Sequence, residues 1–168
     1  QIRVGNSSVT SIGGQVGWTT FSDGRFKKNI KQNVPGLELI KKLQPITYTL
    51  DVSGLNKKTG TDKKIIKDDK ADHSTEEAAI AQQEKIIYTG FVAQDVEKAA
   101  KSLNYDFSGV DKPKNENDLY GLRYDEFVAP LVKAVQELSA ENDELKTKNA
   151  ELEARMQKIE ALLSGQKS

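Results

Sequence analysis

From Leu131 onward an aliphatic residue returns every seventh position, at Leu131, Leu138, Leu145, Leu152 and Ile159, while Val128, Val135, Asn142, Asn149, Met156 and Leu163 occupy the alternate seam. This is the a/d pattern of a left-handed coiled coil, so the segment predicts a helix that associates with others of its kind. From Leu131 to Leu163 the rod would be about 50 Å long at the α-helical rise. Pro130 must sit in the first turns, or kink the helix, because it has no backbone N–H to donate. Ser164-Gly165 ends the pattern. β-Branched or polar a positions with leucine at d, and asparagine at two of the a positions, are the preference of two-stranded coils.

Ahead of the rod the pattern becomes that of a small α+β body. Leu37, Leu39, Ile40 and Leu43 fall on one side of a short helix that Val34-Pro35-Gly36 opens and Pro45 stops. Ile46, Tyr48 and Leu50 then alternate with threonines, the period of a half-buried strand. A second strand is expected around Ile86-Ile87-Tyr88, running into Gly90-Phe91. Val92, Val96, Ala99, Ala100 and Leu103 return to helical spacing. These elements would form a helix/strand body packed on the base of the long C-terminal helix. The chain therefore divides into residues 1–21, a body over 22–125, and a coiled-coil helix over 126–168.

Two stretches interrupt this body. Residues 51–85 hold many charges and read as a polar insertion: Asn56-Lys57-Lys58-Thr59-Gly60 and Asp62-Lys63-Lys64 as solvated loop, and Ser74-Thr75-Glu76-Glu77 as a capping box opening a helix to about Lys85. Asp111–Asp118 reads as a second polar loop. Residues 1–21 are different again. Ile2, Val4, Val9, Ile12 and Val16 are too sparse among Gly, Ser, Asn and Thr for a core of their own, so the stretch would gain stability by stacking on neighbouring strands or chains. It is expected to be the end of an upstream β-fibre, and the start at Gln1 suggests a piece of a longer protein.

Composition removes several function classes. Lys plus Arg and Asp plus Glu number 25 each, so there is no global field to favour nucleic acid or an anionic membrane as partner. No run of about 18 apolar residues could span a bilayer as a helix. With no cysteine and a single histidine, His73, thiolate catalysis, disulfides, a histidine triad and a multi-histidine metal site all fall away. Neither polar loop clusters carboxylates or glycines, so no metal, nucleotide or other cofactor is expected.

The candidate chemistry lies in Phe21-Ser22-Asp23-Gly24-Arg25-Phe26-Lys27-Lys28-Asn29-Ile30. Serine, aspartate and glycine are ordinary turn residues, and the cations here read equally as a solvated basic run. The block also sets a hydroxyl nucleophile five residues before one lysine and six before another. A serine alcohol attacks a carbonyl only when a base takes its proton, and a lysine can be that base once desolvation has removed its charge. Lys27 and Lys28 both qualify on sequence.

This block, followed in order by Thr89-Gly90-Phe91-Val92-Ala93-Gln94-Asp95-Val96-Glu97, Gly121-Leu122-Arg123-Tyr124, Leu131-Val132-Lys133-Ala134-Val135-Gln136-Glu137-Leu138 and a coiled-coil tail, resembles the C-terminal intramolecular chaperone domain of phage tailspikes, tail fibres and endosialidases, the peptidase S74 family, to which a domain of the myelin regulatory factor is related. The resemblance covers roughly Ser22 to the end. It implies a homotrimer, against the two strands that the heptads favour. It also implies that the module helps an upstream β-fibre of the same polypeptide to fold and then releases itself.

The implied reaction is a single-turnover serine endopeptidase with a Ser22–Lys27 dyad, cutting its own chain between Phe21 and Ser22. Asp23 and Arg25 match the family pattern and are expected to organise the turn. Asn29 is read as an oxyanion donor or a helix cap, and Gln94 as a buried or interface amide. The expected setting is the host cytoplasm during assembly with the mature fibre on a virion, or a bacterial cell surface. The alternative function is a permanent trimerisation or attachment module that never cuts.

Overall fold

Gly36 lets two distant parts of the chain meet closely. A Cβ at this position would lie 2.5 Å from Glu137 Oε2 and 2.7 Å from the Ala134 nitrogen, so only glycine permits the approach. The computed structural model describes residues 12–60, 73–116 and 118–165. In it, α1 (Leu37–Ile40) packs on the base of a 38-residue helix that closes the chain, Val128–Gly165. Glu137 of that helix accepts a hydrogen bond from the Leu37 N–H at 2.7 Å, which caps an N-terminus that Gly36 has no side chain to cap. Leu39 is completely buried there.

Chain contacts divide the protein into two compact units. One comprises Lys31–Leu43, Val96–Val110 and Leu122–Ser168. Its buried apolar residues are Leu39, Val96, Ala99, Ala100, Phe107, Val110, Phe127 and Ala134. Phe107 meets Phe127 edge to face at 4.9 Å between ring centres, and Tyr105 and Tyr124 stack on these two rings. Arg123 ties the chain entering the long helix to the preceding turn, donating from its backbone to Gly109 O at 2.8 Å and from its guanidinium to Ser108 O at 2.6 Å.

The other unit comprises Gln1–Ile30, Gln44–Asp95 and Asp111–Gly121. Here β1 (Ile46–Tyr48) pairs antiparallel with β2 (Tyr88–Gly90), Thr47 opposite Thr89, and Tyr48 stacks on Tyr88 at 5.7 Å. β1 matches the alternation read from sequence, though it stops two residues before Leu50, and β2 begins only at Tyr88, past the Ile86-Ile87 pair on which the second strand was expected to start. The excursion between them corrects the sequence reading. Val52–Thr59 is a helix, α2, where Asn56–Gly60 was expected to be solvated loop. Local caps permit the helix and burial completes it: Asp51 caps the first turn by accepting from the Gly54 N–H at 2.7 Å, Gly60 takes the left-handed C-cap at φ 70°, and Val52 and Asn56, one turn apart, are buried against the rest of the fold.

The helix expected near Ser74 is present as α3 (His73–Gln83). The helix begins at His73, so Ser74 lies within it and not at the expected N-cap; the Ser74 side chain and the Asp62–Lys64 loop lie outside the described residues. Ser53 donates from both N and Oγ to Glu84 Oε1 at 3.0 Å, joining the two ends of the insertion. Next come α4 (Ala93–Ser102), then β3 (Val110–Asp111) and β4 (Gly121–Leu122), a second two-stranded sheet that brackets the polar loop and was not expected. Strands of two residues carry no periodicity, so only the pairing reveals them. Residues 12–21 contain no strand, and residues 1–11 lie outside the described ones. The fold is α+β with a long C-terminal helix.

That helix, α5 (Val128–Gly165), holds Pro130 at its third position, where the missing N–H costs nothing. Phe127, Pro130 and Ala134 are buried. The a/d seam is on another flank and stays open: Val135, Leu138, Leu145, Leu152 and Ile159 are 50–65% exposed. Among the described residues no helix is long and apolar enough to cross a membrane.

Removing the Leu39 side chain tests whether α1 is held by burial. Leu39→Ala should lose about 2–5 kcal/mol of stability, as full burial of leucine requires, measured by urea denaturation at fixed chain concentration. A loss below the 1 kcal/mol scale typical of surface changes would place the core elsewhere.

Candidate active site

Five extended residues would separate Ser22 from Lys27 by roughly 17 Å between Cα atoms. One turn of 3-10 helix, Gly24–Phe26, removes that separation. The Phe26 N–H donates to Asp23 O and the Lys27 N–H to Gly24 O, each at 3.1 Å, and the chain folds back on itself. Lys27 Nζ then donates to Ser22 Oγ at 2.8 Å. Of the two lysines left open by the sequence, it is Lys27 and not Lys28 that reaches the serine.

Asp23 holds this turn in two ways. Its carboxylate accepts from the Arg25 N–H at 2.9 Å, capping the turn, and receives the Arg25 guanidinium in a bidentate pair, with Nη2 at 2.6 Å and Nε at 3.0 and 3.1 Å from its two oxygens. The guanidinium also lies 5.8 Å from the centre of the Phe26 ring. A single carboxylate thus engages both backbone and side chain of the residue midway between Ser22 and Lys27. The Arg25 side chain first, and its backbone N–H second, hold the Asp23 carboxyl below the ordinary value of 3.8. The same pairing raises the Arg25 guanidinium further.

The other expected site residues are placed as follows. Asn29 has φ 54°, a left-handed conformation that asparagine tolerates better than most residues, and caps no described helix, since the next one begins at Leu37. Gln94 is exposed at the second position of α4, so it is not a buried amide in the single chain. Phe21, on the acyl side of the Phe21–Ser22 bond, is fully exposed, and every residue from Ile12 to Asn33 is exposed with it. Ser22 and Lys27 lie open to water on one chain.

The family model described as chaperone of endosialidase, peptidase S74, matches residues 22–105. The chain belongs to the peptidase S74 family. The match begins at Ser22 and contains the whole 3-10 turn, both strands of the first sheet and α4. Peptidase S74 members are self-cleaving peptidases with a chaperone-like role in trimerisation. The Gly121–Tyr124 block and the long helix fall outside the matched region. No curated protein and no solved structure matches the chain significantly.

Sequence reading singled out the serine, both lysines, Asp23 and Arg25, and the structure brings Ser22, Asp23, Arg25 and Lys27 together at one turn. The bidentate geometry and the choice of Lys27 over Lys28 depend on backbone direction, which spacing alone leaves open.

The Asp23–Arg25 pair has a checkable pH dependence. Because the folded carboxyl is depressed, its contribution to the turn is complete above the unfolded value and disappears as pH falls through the folded one. Carbon-detected NMR should therefore show Asp23 titrating below 3.8. In Arg25→Ala the midpoint should move back up toward the ordinary value.

Proposed function

We propose that this chain is a trimerising intramolecular chaperone that assists an upstream β-fibre of the same polypeptide and releases it by cutting its own Phe21–Ser22 bond. The observation that carries the reading is the 2.8 Å contact between Lys27 Nζ and Ser22 Oγ. Ser22 follows the scissile bond directly, so its alcohol attacks the carbonyl carbon of Phe21 through a small ring containing its own Cβ, Cα and N. Lys27, once neutral, takes the hydroxyl proton along this contact, and a proton is returned to the Ser22 nitrogen as the C–N bond breaks. The product is an ester on Ser22 Oγ with a free Ser22 amine. Water hydrolyses the ester, leaving a chain that ends at Phe21 and one that starts at Ser22.

In water the ammonium form of a lysine dominates at neutral pH, and burial favours the neutral form. Ser22 and Lys27 are exposed on the single chain. Association of three chains supplies the surface that covers them, so cutting follows assembly. The seam of α5, half open to water, is the face on which the chains associate. The globular body and upstream strands select three copies over the two that the heptads alone prefer.

The chaperone role follows from loop-closure entropy. Interwinding three β-chains requires their registration before any non-local contact rewards it, whereas helices form from local contacts. Tethering the chain ends raises the effective concentration of the strands. Removing the clamp afterwards leaves the fibre kinetically trapped. The cut belongs to fibre assembly in a host cytoplasm, with the mature fibre carried on a virion; a bacterial cell-surface fibre is the other setting.

Intact-mass measurement after incubation at neutral pH tests the reaction. The unmutated chain should yield a fragment starting at Ser22, Ser22→Ala none, and Lys27→Ala a rate lower by about 10²–10⁴-fold, the usual contribution of a general base. Lys28→Ala should still cut. A single uncut mass in a confirmed trimer would instead make the module a permanent assembly tip.

The turn makes a separate claim. Asp23→Ala, which removes both the cap and the ion pair, should slow cutting by up to about 10²-fold through misplacement of the dyad. Trimer mass by light scattering should stay unchanged.

A further inference from the structure

Asn142 and Asn149 occupy adjacent a positions in the middle of an otherwise aliphatic seam. We infer that these two layers, with three flanking charge pairs, compel α5 to join other copies of this chain parallel and in register; the inference rests on the proposed self-association of α5. α1 leaves room for it, covering the flank that carries Ala134 and Glu137 while Leu131, Val135 and Leu138 stay about half exposed.

An amide carries both donors and an acceptor, so asparagines meeting at the same level of a bundle satisfy one another, and an asparagine facing hydrocarbon leaves its groups unpaired. In register, Asn142 meets Asn142 and Asn149 meets Asn149. A slip of one heptad sets Asn142 of one copy against Asn149 of another, but puts the remaining asparagines against Val135 and Met156. Antiparallel packing, in which a positions face d positions, puts both asparagines against leucine or isoleucine. Only the parallel, unslipped bundle pairs every amide.

Charge discriminates in the same direction. In a parallel bundle each g residue faces the e residue five places further on in the neighbouring copy. Without slip these pairs are Glu141 with Lys146, Lys148 with Glu153, and Arg155 with Glu160, all of opposite sign. A slip of one heptad brings Glu141 to Glu153 in one direction and Lys148 to Lys146 in the other. On the single chain Lys146 and Lys148 pair with Asp143 and Glu144 of their own helix, so the bundle exchanges partners for these lysines. The asparagine layers therefore carry the larger share of the discrimination.

The chain has no cysteine, so an introduced one is alone. Leu145→Cys lies between the two asparagine layers and reports register in the full-length protein. Equilibrated in a glutathione redox buffer with differently tagged Leu152→Cys chains, it should form links between 145 and 145 in about tenfold or greater excess over links between 145 and 152, the selectivity expected from leaving buried amides unpaired. In chains also carrying N142L and N149L that excess should vanish. Comparable slipped links in the unaltered seam would overturn the inference, as would an undiminished preference after the asparagines are replaced. Light scattering separates the two levels: a monomer at every concentration sinks the self-association reading, whereas slipped links in an assembled protein sink the register alone.

Discussion

A 38-residue helix whose apolar seam faces water is the constraint on which the rest of this protein turns. Among the described residues its base is covered by α1, which meets Ala134 and Glu137, and Pro130 is buried beside them in sequence. Beyond Leu138 every described residue is exposed, and propensity alone does not account for a long helix of this kind, since most helical stability comes from packing an apolar face. The chain thus contains a folded base and a rod whose apolar seam is open to water.

That division suits a module whose proposed work is timing. In the proposed mechanism further copies bury both the seam and the Ser22–Lys27 contact, so a clamp that forms by local contacts would also switch on its own removal. The Lys27–Ser22 contact needs little from the rest of the fold: one 3-10 turn and one aspartate bring the two side chains together. The single chain does not supply dryness around it. Geometry is local, whereas the low-dielectric surroundings that neutralise a lysine are collective.

The family assignment strengthens this reading at the residue where it matters, because the matched region starts at Ser22. It does not extend to α5. Association through α5 is therefore argued from the heptad repeat, the open seam and the asparagine layers of this chain, and those features would ask for a self-complementary partner whatever the family.

Long periodic or capped segments were legible in the chain itself. The 3.5-residue repeat specified α5 and its seam, alternation specified β1, a short apolar run pointed to β2, and Ser22 with the two lysines five and six residues on marked the candidate site. Each is a signal between near neighbours, so no distant partner is needed to read it. Tertiary structure decided the remainder. It turned Asn56–Gly60 into the end of a helix by burying Val52 and Asn56, paired strands too short to show alternation, set Glu137 against the start of α1 from 100 residues away, and chose Lys27 over Lys28 by the direction of one turn. In the first three cases the deciding contact joins residues with no fixed spacing, and in the fourth it depends on a backbone path that composition does not encode.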